Sequence, residues 1–480
     1  MALVRDKAGF LQAPVAAPKT PEYVVVELRH DCQVAYSARK FEAVPARTRE
    51  ADSMNKVLAK FRIGRLISHF AMKASMIRKH AVAAPRSLHV PVSAEFAQSG
   101  FVQIVPRNPR DCAKLAARMN RLGSVWKAYV APRPVPAVLA DGASPRSRNF
   151  EPAQGYLHSP PDGVGAMEVW RFRGGKGGRI TICDIEGNWN RRHEDLPGGI
   201  RLIGGSVIDD LGWRNHGTAV LGEMVSRPGG VGTVGISHRA RAMVQSAVIN
   251  GVWNTAGAIM NASRRLRAGD VILIELQGTG PNGKYVAMQY WNDIFSAIRA
   301  ATARGITVVE AAGNGNEDFE SPIFRGTGLQ RDSGAIVVGA GVPPTNYFDF
   351  FGAGPGTRYR NIGVPRSRIW FSNYGRIVNV QAWGWHVTTL GYGNAQGGPS
   401  ENRWYTLRFS GTSSASPIVT GSVACIQGRA KARRGGRPLS PAQVRSILIR
   451  TGTPQVPGPD APLSQHIGPQ PNLPRAFRVV

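Results

Sequence analysis

From residue 179 onward, short β-branched runs alternate with amphipathic stretches, and this alternation constrains the fold more than any other feature. Apolar runs lie near 179–184, 242–248, 271–276, 306–312 and 335–339. Helical periodicity fills 216–226, 253–266, 286–304 and 413–430. Strands that are apolar throughout are buried on both faces, and parallel neighbours need a crossover helix. The expected fold is therefore α/β, a mainly parallel sheet with helices on both faces. Residues at strand C-termini and helix N-termini then converge on one edge, where open sheets of this kind bind ligands.

Three groups on that edge carry chemistry. Gly411-Thr-Ser-Ser-Ala-Ser-Pro417 leads into the apolar positions Ile418, Val419, Val423 and Ala424. A helix start of this kind presents a hydroxyl beside unpaired N–H groups, and Pro417 is tolerated in the first turn. A serine hydroxyl needs a base, and the base needs an orienting carboxylate. Asn215-His216-Gly-Thr218 opens a helical segment, where the dipole favours a neutral imidazole. Arg179-Ile-Thr-Ile-Cys-Asp184 is a buried-strand pattern that ends in a carboxylate, ahead of a turn at Gly187. Taken singly, each has an ordinary structural explanation: a cap, a satisfied histidine, a strand-end turn.

Together, in the order Asp, His, Ser, they resemble the signature blocks of the subtilisin-like serine proteases, the subtilases. Val308-Val-Glu-Ala-Ala-Gly-Asn314 resembles a fourth block, and Asp270-Val-Ile-Leu-Ile-Glu-Leu-Gln-Gly278 the strand lining the substrate cleft. Phe371-Ser-Asn-Tyr-Gly375 and Ser440-Pro-Ala-Gln-Val-Arg445 are similar to later blocks. The resemblance spans about residues 153–475. It implies a serine endopeptidase with Ser413 as nucleophile, His216 as base, Asp184 as orienter and Asn314 as oxyanion donor. It places substrate against Leu276, Gln277, Gly278, Ala311, Ala312 and Gly313. Protein or peptide substrates are the implied partners, and no cofactor is expected.

The sequence departs from that pattern in three places. Glu186 lengthens the usual Asp-x-Gly turn by one residue, Glu275-Leu276-Gln277-Gly278 replaces Ser-Leu-Gly, and Glu310 precedes Ala-Ala-Gly-Asn. Glu275 and Glu310 read either as paired acids selecting a basic substrate residue or as structural carboxyls with local partners; the structural reading is the stronger. Catalytically silent relatives and a basic nucleic-acid-associated protein are the alternative function classes.

The first 150 residues carry 25 Lys and Arg against 10 Asp and Glu, about half of the chain's net charge of +29. Lys56, Lys60, Arg62, Arg65, Lys73, Arg78 and Lys79 fall in a segment read as helical. A solvated face is the stronger reading, and nucleic acid is not an expected partner. Runs at Tyr23–Leu28, Phe101–Val105 and Val125–Val130, with an amphipathic helix at Asp111–Leu122, suggest a split-βαβ module. Its layout is similar to the prodomain that commonly precedes subtilases, which implies that its tail near Ala131–Ala140 enters the cleft and is cut there. The expected organisation is a tail at 1–21, this prodomain-like α+β module at 22–138, a linker at 139–152 and the catalytic domain at 153–480. The stretch 341–370 reads as a loop insertion.

No run is long enough to span a membrane, and no signal peptide is evident at the N-terminus. Cys32, Cys112, Cys183 and Cys425 have no metal spacing. These features give a cytoplasmic expectation. Glu194 and Asp195, weighed as ligands of a structural calcium, read instead as a surface turn.

Overall fold

A computed structural model describes residues 22–29, 34–43, 48–70, 72–82, 98–131, 147–344 and 363–480, with the backbone of 4–5 and 11–12. Seven parallel strands form the central sheet, in the order Arg201–Leu202, Arg241–Ser246, Thr181–Glu186, Val271–Ile274, Thr307–Ala311, Ile336–Gly341, Val378–Trp383. The period of two sorts each strand between two cores. Ile182, Leu273, Val309 and Val338 pack against the helices Leu211–Val225 and Thr412–Arg433. Cys183, Ile272, Val308 and Val337 face the helices Thr255–Arg265 and Asn292–Ala303.

Several strands are not legible in the sequence. Val378–Trp383 closes one edge of the sheet, and Val387–Leu390 pairs with Tyr405–Phe409 as an antiparallel ribbon. The closing helix Pro441–Thr451 starts in a capping box: Ser440 Oγ accepts from the Gln443 amide, and the Gln443 side chain accepts from Ser440 N. Residues 147–152, expected as linker, belong to the catalytic body. Phe150 is buried against Tyr405 at 5.0 Å, and its amide donates to the Gly232 carbonyl. Of the expected insertion, 345–362 lie outside the described residues, as do 132–146 of the module's tail and linker.

The N-terminal module is an antiparallel sheet in the order Ile63–Ser68, Phe101–Pro106, Val24–Leu28, Val125–Val130. The basic segment read as one helical stretch is instead helix Thr48–Lys60, strand Ile63–Ser68 and helix Ala74–Val82. Arg62, at φ 45°, makes the turn between the first two. Val24, Val26 and Leu28 face the module's own helices, and Tyr23 and Val25 face the catalytic body. That outer face continues one apolar core with Trp253, Ile259 and Ile294. Beside it, Tyr36, Met72, Asn250 and Arg264 help to line a cavity of about 540 Å³ between the two parts.

Polar groups fix this docking at a few points. Tyr23 Oη donates to the Trp253 carbonyl, and Asn254 Nδ2 donates to the His69 carbonyl at 3.0 Å. The Asp293 carboxyl meets His69 Nε2 and accepts from Tyr129 Oη at 2.5 Å, with His69 and Asp293 buried and Tyr129 half-buried. Burial acts to raise the Asp293 carboxyl. Attraction to His69 and hydrogen bonds from His69, Tyr129 and the Ile294 amide outweigh it and hold the group below its usual value. A depressed carboxylate contributes stability above its unfolded pKa, about 3.9, and that contribution is lost as pH falls through the lower folded value. His69→Ala leaves the carboxylate buried without its main partner. We expect about 3–5 kcal/mol of destabilisation, measured by denaturant unfolding near neutral pH.

Candidate active site

Gly411, at φ 102°, turns the chain into the serine helix, and its amide donates to the Gly384 carbonyl. Two residues later Ser413 lies in the first helical turn, where amides have no intrahelical acceptor. Asn314 comes from the loop after the strand Thr307–Ala311. Its Oδ1 accepts from Thr412 N at 2.9 Å and from Thr412 Oγ1 at 3.0 Å, while Thr412 Oγ1 accepts from Gly313 N at 3.2 Å. Because Thr412 N can only donate, the amide's oxygen end is fixed toward Thr412, and its N–H₂ end is left to donate elsewhere.

His216 does not sit at a helix N-terminus as its sequence context suggested. The helix begins at Leu211, capped by Asp210 Oδ1 accepting from Trp213 N at 2.9 Å, so His216 falls in the second turn. Burial, rather than the first-turn dipole, lowers the pKa of this imidazole. Its ring packs edge-on to Phe409 at 5.5 Å. Nδ1 is bonded to Glu186, and Nε2 is buried with no partner among the described residues.

The carboxylate on His216 is therefore Glu186, and the assignment of Asp184 to that position is corrected by the geometry. Asp184 and Glu186 are two residues apart on one strand, so both face the histidine helix. Glu186 is the last residue of the strand and reaches the imidazole. Asp184 lies one step deeper; its Oδ2 accepts from Trp189 Nε1 at 2.7 Å, and Oδ1 has no partner among the described residues. Burial raises both carboxyls, and the nearby Glu186 raises Asp184 further. The signal was present in the sequence: the apolar run continues through Ile185, so the residue before the Gly187 turn is Glu186.

Glu275 is the second acid at this edge. The register pairs Ile185 with Ile274, which places Glu275 beside Glu186 on the neighbouring strand. Its carboxyl meets Ser416 Oγ and stands next to Ser413. Glu310 does not join it. Register with Ile274 turns Glu310 to the opposite face of the sheet, where its Oε2 accepts from Gln289 N at 3.2 Å. Burial pushes that carboxyl up to about 8.

Among the residues expected to contact substrate, Gln277 Oε1 accepts from Asn314 N at 2.8 Å, tying the segment after Val271–Ile274 to the loop that carries Asn314. Leu276 is buried, and Gly278 pairs with Val286 in a short antiparallel ribbon. Ala311 ends its strand. The Ala312 carbonyl accepts from Asn373 Nδ2 at 2.7 Å, and Gly313 has φ 91°. Asp195 is not on a surface turn: it is buried and accepts from Thr233 N at 2.6 Å, while Glu194 meets Ser147, Tyr405 and Arg403. Among the described residues no group of three or more His, Cys, Asp or Glu could hold a metal ion, and no helix is long and apolar enough to cross a membrane.

Comparison places the chain among known proteins. Residues 205–468 match the sequence profile of the subtilase family, Peptidase S8, and the chain belongs to that family. The matched stretch begins after the strand carrying Asp184 and Glu186. An extracellular serine proteinase from Thermus sp. (strain Rt41A) is 31% identical over 262 residues, covering 53% of this chain and 48% of that protein. A subtilisin-like serine protease from Rhodotorula mucilaginosa is 25% identical over 314 residues, covering 62% and 79%. The chain thus spans about half the length of the Thermus relative. Fervidolysin from Fervidobacterium pennivorans shares the fold at a TM-score of 0.51 and 16% identity, covering 99% of this chain and 64% of that one. The cytoplasmic expectation is overturned by these relatives, one of which is named as extracellular.

Proposed function

We propose that the protein is a serine endopeptidase that works through Ser413, His216 and Glu186. The observation that carries this reading is the buried Glu186–His216 pair, whose free Nε2 belongs to the helix packed beside the serine helix. Ser413 Oγ attacks the peptide carbonyl while His216 Nε2 takes its proton. Glu186 holds Nδ1 protonated, which fixes the tautomer and offsets the charge that forms on the ring. The Asn314 N–H₂ and the Ser413 amide stabilise the oxyanion. The proton then passes from His216 to the leaving amine, and water hydrolyses the acyl-enzyme by the same route in reverse.

The N-terminal module fits the role of a folding and inhibitory segment. Its sheet lies on the helices Thr255–Arg265 and Asn292–Ala303 and shares a core with them. Its last strand, Val125–Val130, leads into the tail assigned to the cleft. A fluorophosphonate probe tests the reading. Mass spectrometry is expected to find one adduct, on Ser413; an unmodified protein, or an adduct on another residue, contradicts it.

A further inference from the structure

Glu275 has a role in the proposed reaction that hydrogen-bond counting makes specific. Ser416 Oγ lies 2.8 Å from the Thr412 carbonyl and also touches Glu275 Oε1. A hydroxyl has one proton, and the Thr412 carbonyl can only accept. With the Ser416 proton on Thr412 O, the contact to Glu275 is completed by a proton on the carboxyl. Glu275 Oε2, the other oxygen, makes no hydrogen bond among the described residues.

The surroundings of the carboxyl agree with that count. Asp184 and Glu186 stand on the adjacent strand, and Glu223 stands on the histidine helix with neither oxygen hydrogen-bonded among the described residues. His216, on the same helix, is occupied by Glu186. Among the described residues no lysine or arginine acts on any of the four carboxyls, and no cluster suits a metal ion. Four carboxyls that share a space closed to water cannot all be ionised, so protons serve as their counter-ions. Burial, then the charges of Asp184 and Glu186, raise Glu275 well above the carboxylate range against the opposing hydroxyl contacts of Ser416 and Ser413.

We propose that Glu275 serves as a positioning residue in the form of a neutral carboxylic acid, donating to Ser416 Oγ and seating the Ser413 hydroxyl beside it. The neutral form matters because an ionised carboxylate next to Ser413 would oppose the negative charge that develops on the substrate oxygen. The Glu275 proton stays in place through the cycle, and the proton that moves is the one Ser413 gives to His216.

This rests on the serine-peptidase reading, which the fluorophosphonate adduct tests without involving Glu275. Once the adduct is found, kcat and KM are compared for wild type, Glu275→Gln and Glu275→Ala from about pH 5 to about pH 11. Glu275→Gln, a permanently neutral isostere, is expected to stay within about threefold of wild type at neutral pH and to lack the alkaline loss of activity. Glu275→Ala is expected to lose about 10–100-fold in kcat with KM little changed. A Gln variant as impaired as the Ala variant, or one that keeps the wild-type alkaline limb, overturns the proposal. Infrared spectra of the wild type supply a check that does not depend on either variant folding. A protonated-carboxyl band is expected at neutral pH, disappearing reversibly on alkaline titration, and its absence also overturns the proposal.

Discussion

Replacing Glu186 with Gln is expected to lower kcat by about 10⁴-fold with little change in KM, as loss of the orienting carboxylate does in a serine triad. The amide is close in size but can present its N–H₂ to Nδ1. That stabilises the tautomer with the proton on Nε2, where it blocks acceptance from Ser413. The buried imidazolium formed in the transition state would also lose its counter-charge, at a site where burial already opposes protonation. Asp184→Asn is expected to cost at most about tenfold, because its carboxyl meets Trp189 and not His216. Steady-state kinetics on one peptide substrate decides between them, and the opposite ranking returns the orienting role to Asp184.

The second large effect is expected at Ser413, the proposed nucleophile. Ser413→Ala is expected to reduce kcat about 10⁶-fold, leaving only what the oxyanion donors and substrate binding supply. If the module's tail is cut by the protein's own site, the same substitution leaves the chain at full length while the wild type is shortened. The intact masses of the two purified proteins report this. A Ser413→Ala protein shortened at the same place as wild type shows that another protease makes the cut.

The sheet was legible because its strands are buried on both faces, so β-branched runs such as Val271–Ile274 and Ile336–Gly341 stand out without their partners. The juxtaposition of Asn314 with the start of the serine helix was legible because it depends on local turns: Gly411 and Gly313 both have positive φ, and Asn314 meets Thr412. The orienting acid was harder to read. Matching by residue type selected Asp184, whereas the contact with His216 is decided by side-chain length and by which carboxyl ends the strand. Ile63–Ser68 was hidden by the charged residues around it, since an exposed strand with burial on one side only carries little apolar signal. Register decides the fates of Glu275 and Glu310. One residue of offset between neighbouring strands puts the first beside Ser413 and the second against Gln289, and no periodicity within either strand contains that information.

The link between Glu186 and His216 is tested most directly by proton NMR of the imidazole Nδ1–H. A hydrogen bond to a carboxylate moves this proton far downfield of the amide region, and His69, bonded to Asp293, supplies a reference signal of similar origin. The His216 resonance is expected in wild type, retained in Asp184→Asn and lost in Glu186→Gln, with the His69 signal present in all three. Loss of the His216 signal in Asp184→Asn together with its persistence in Glu186→Gln would contradict the assignment.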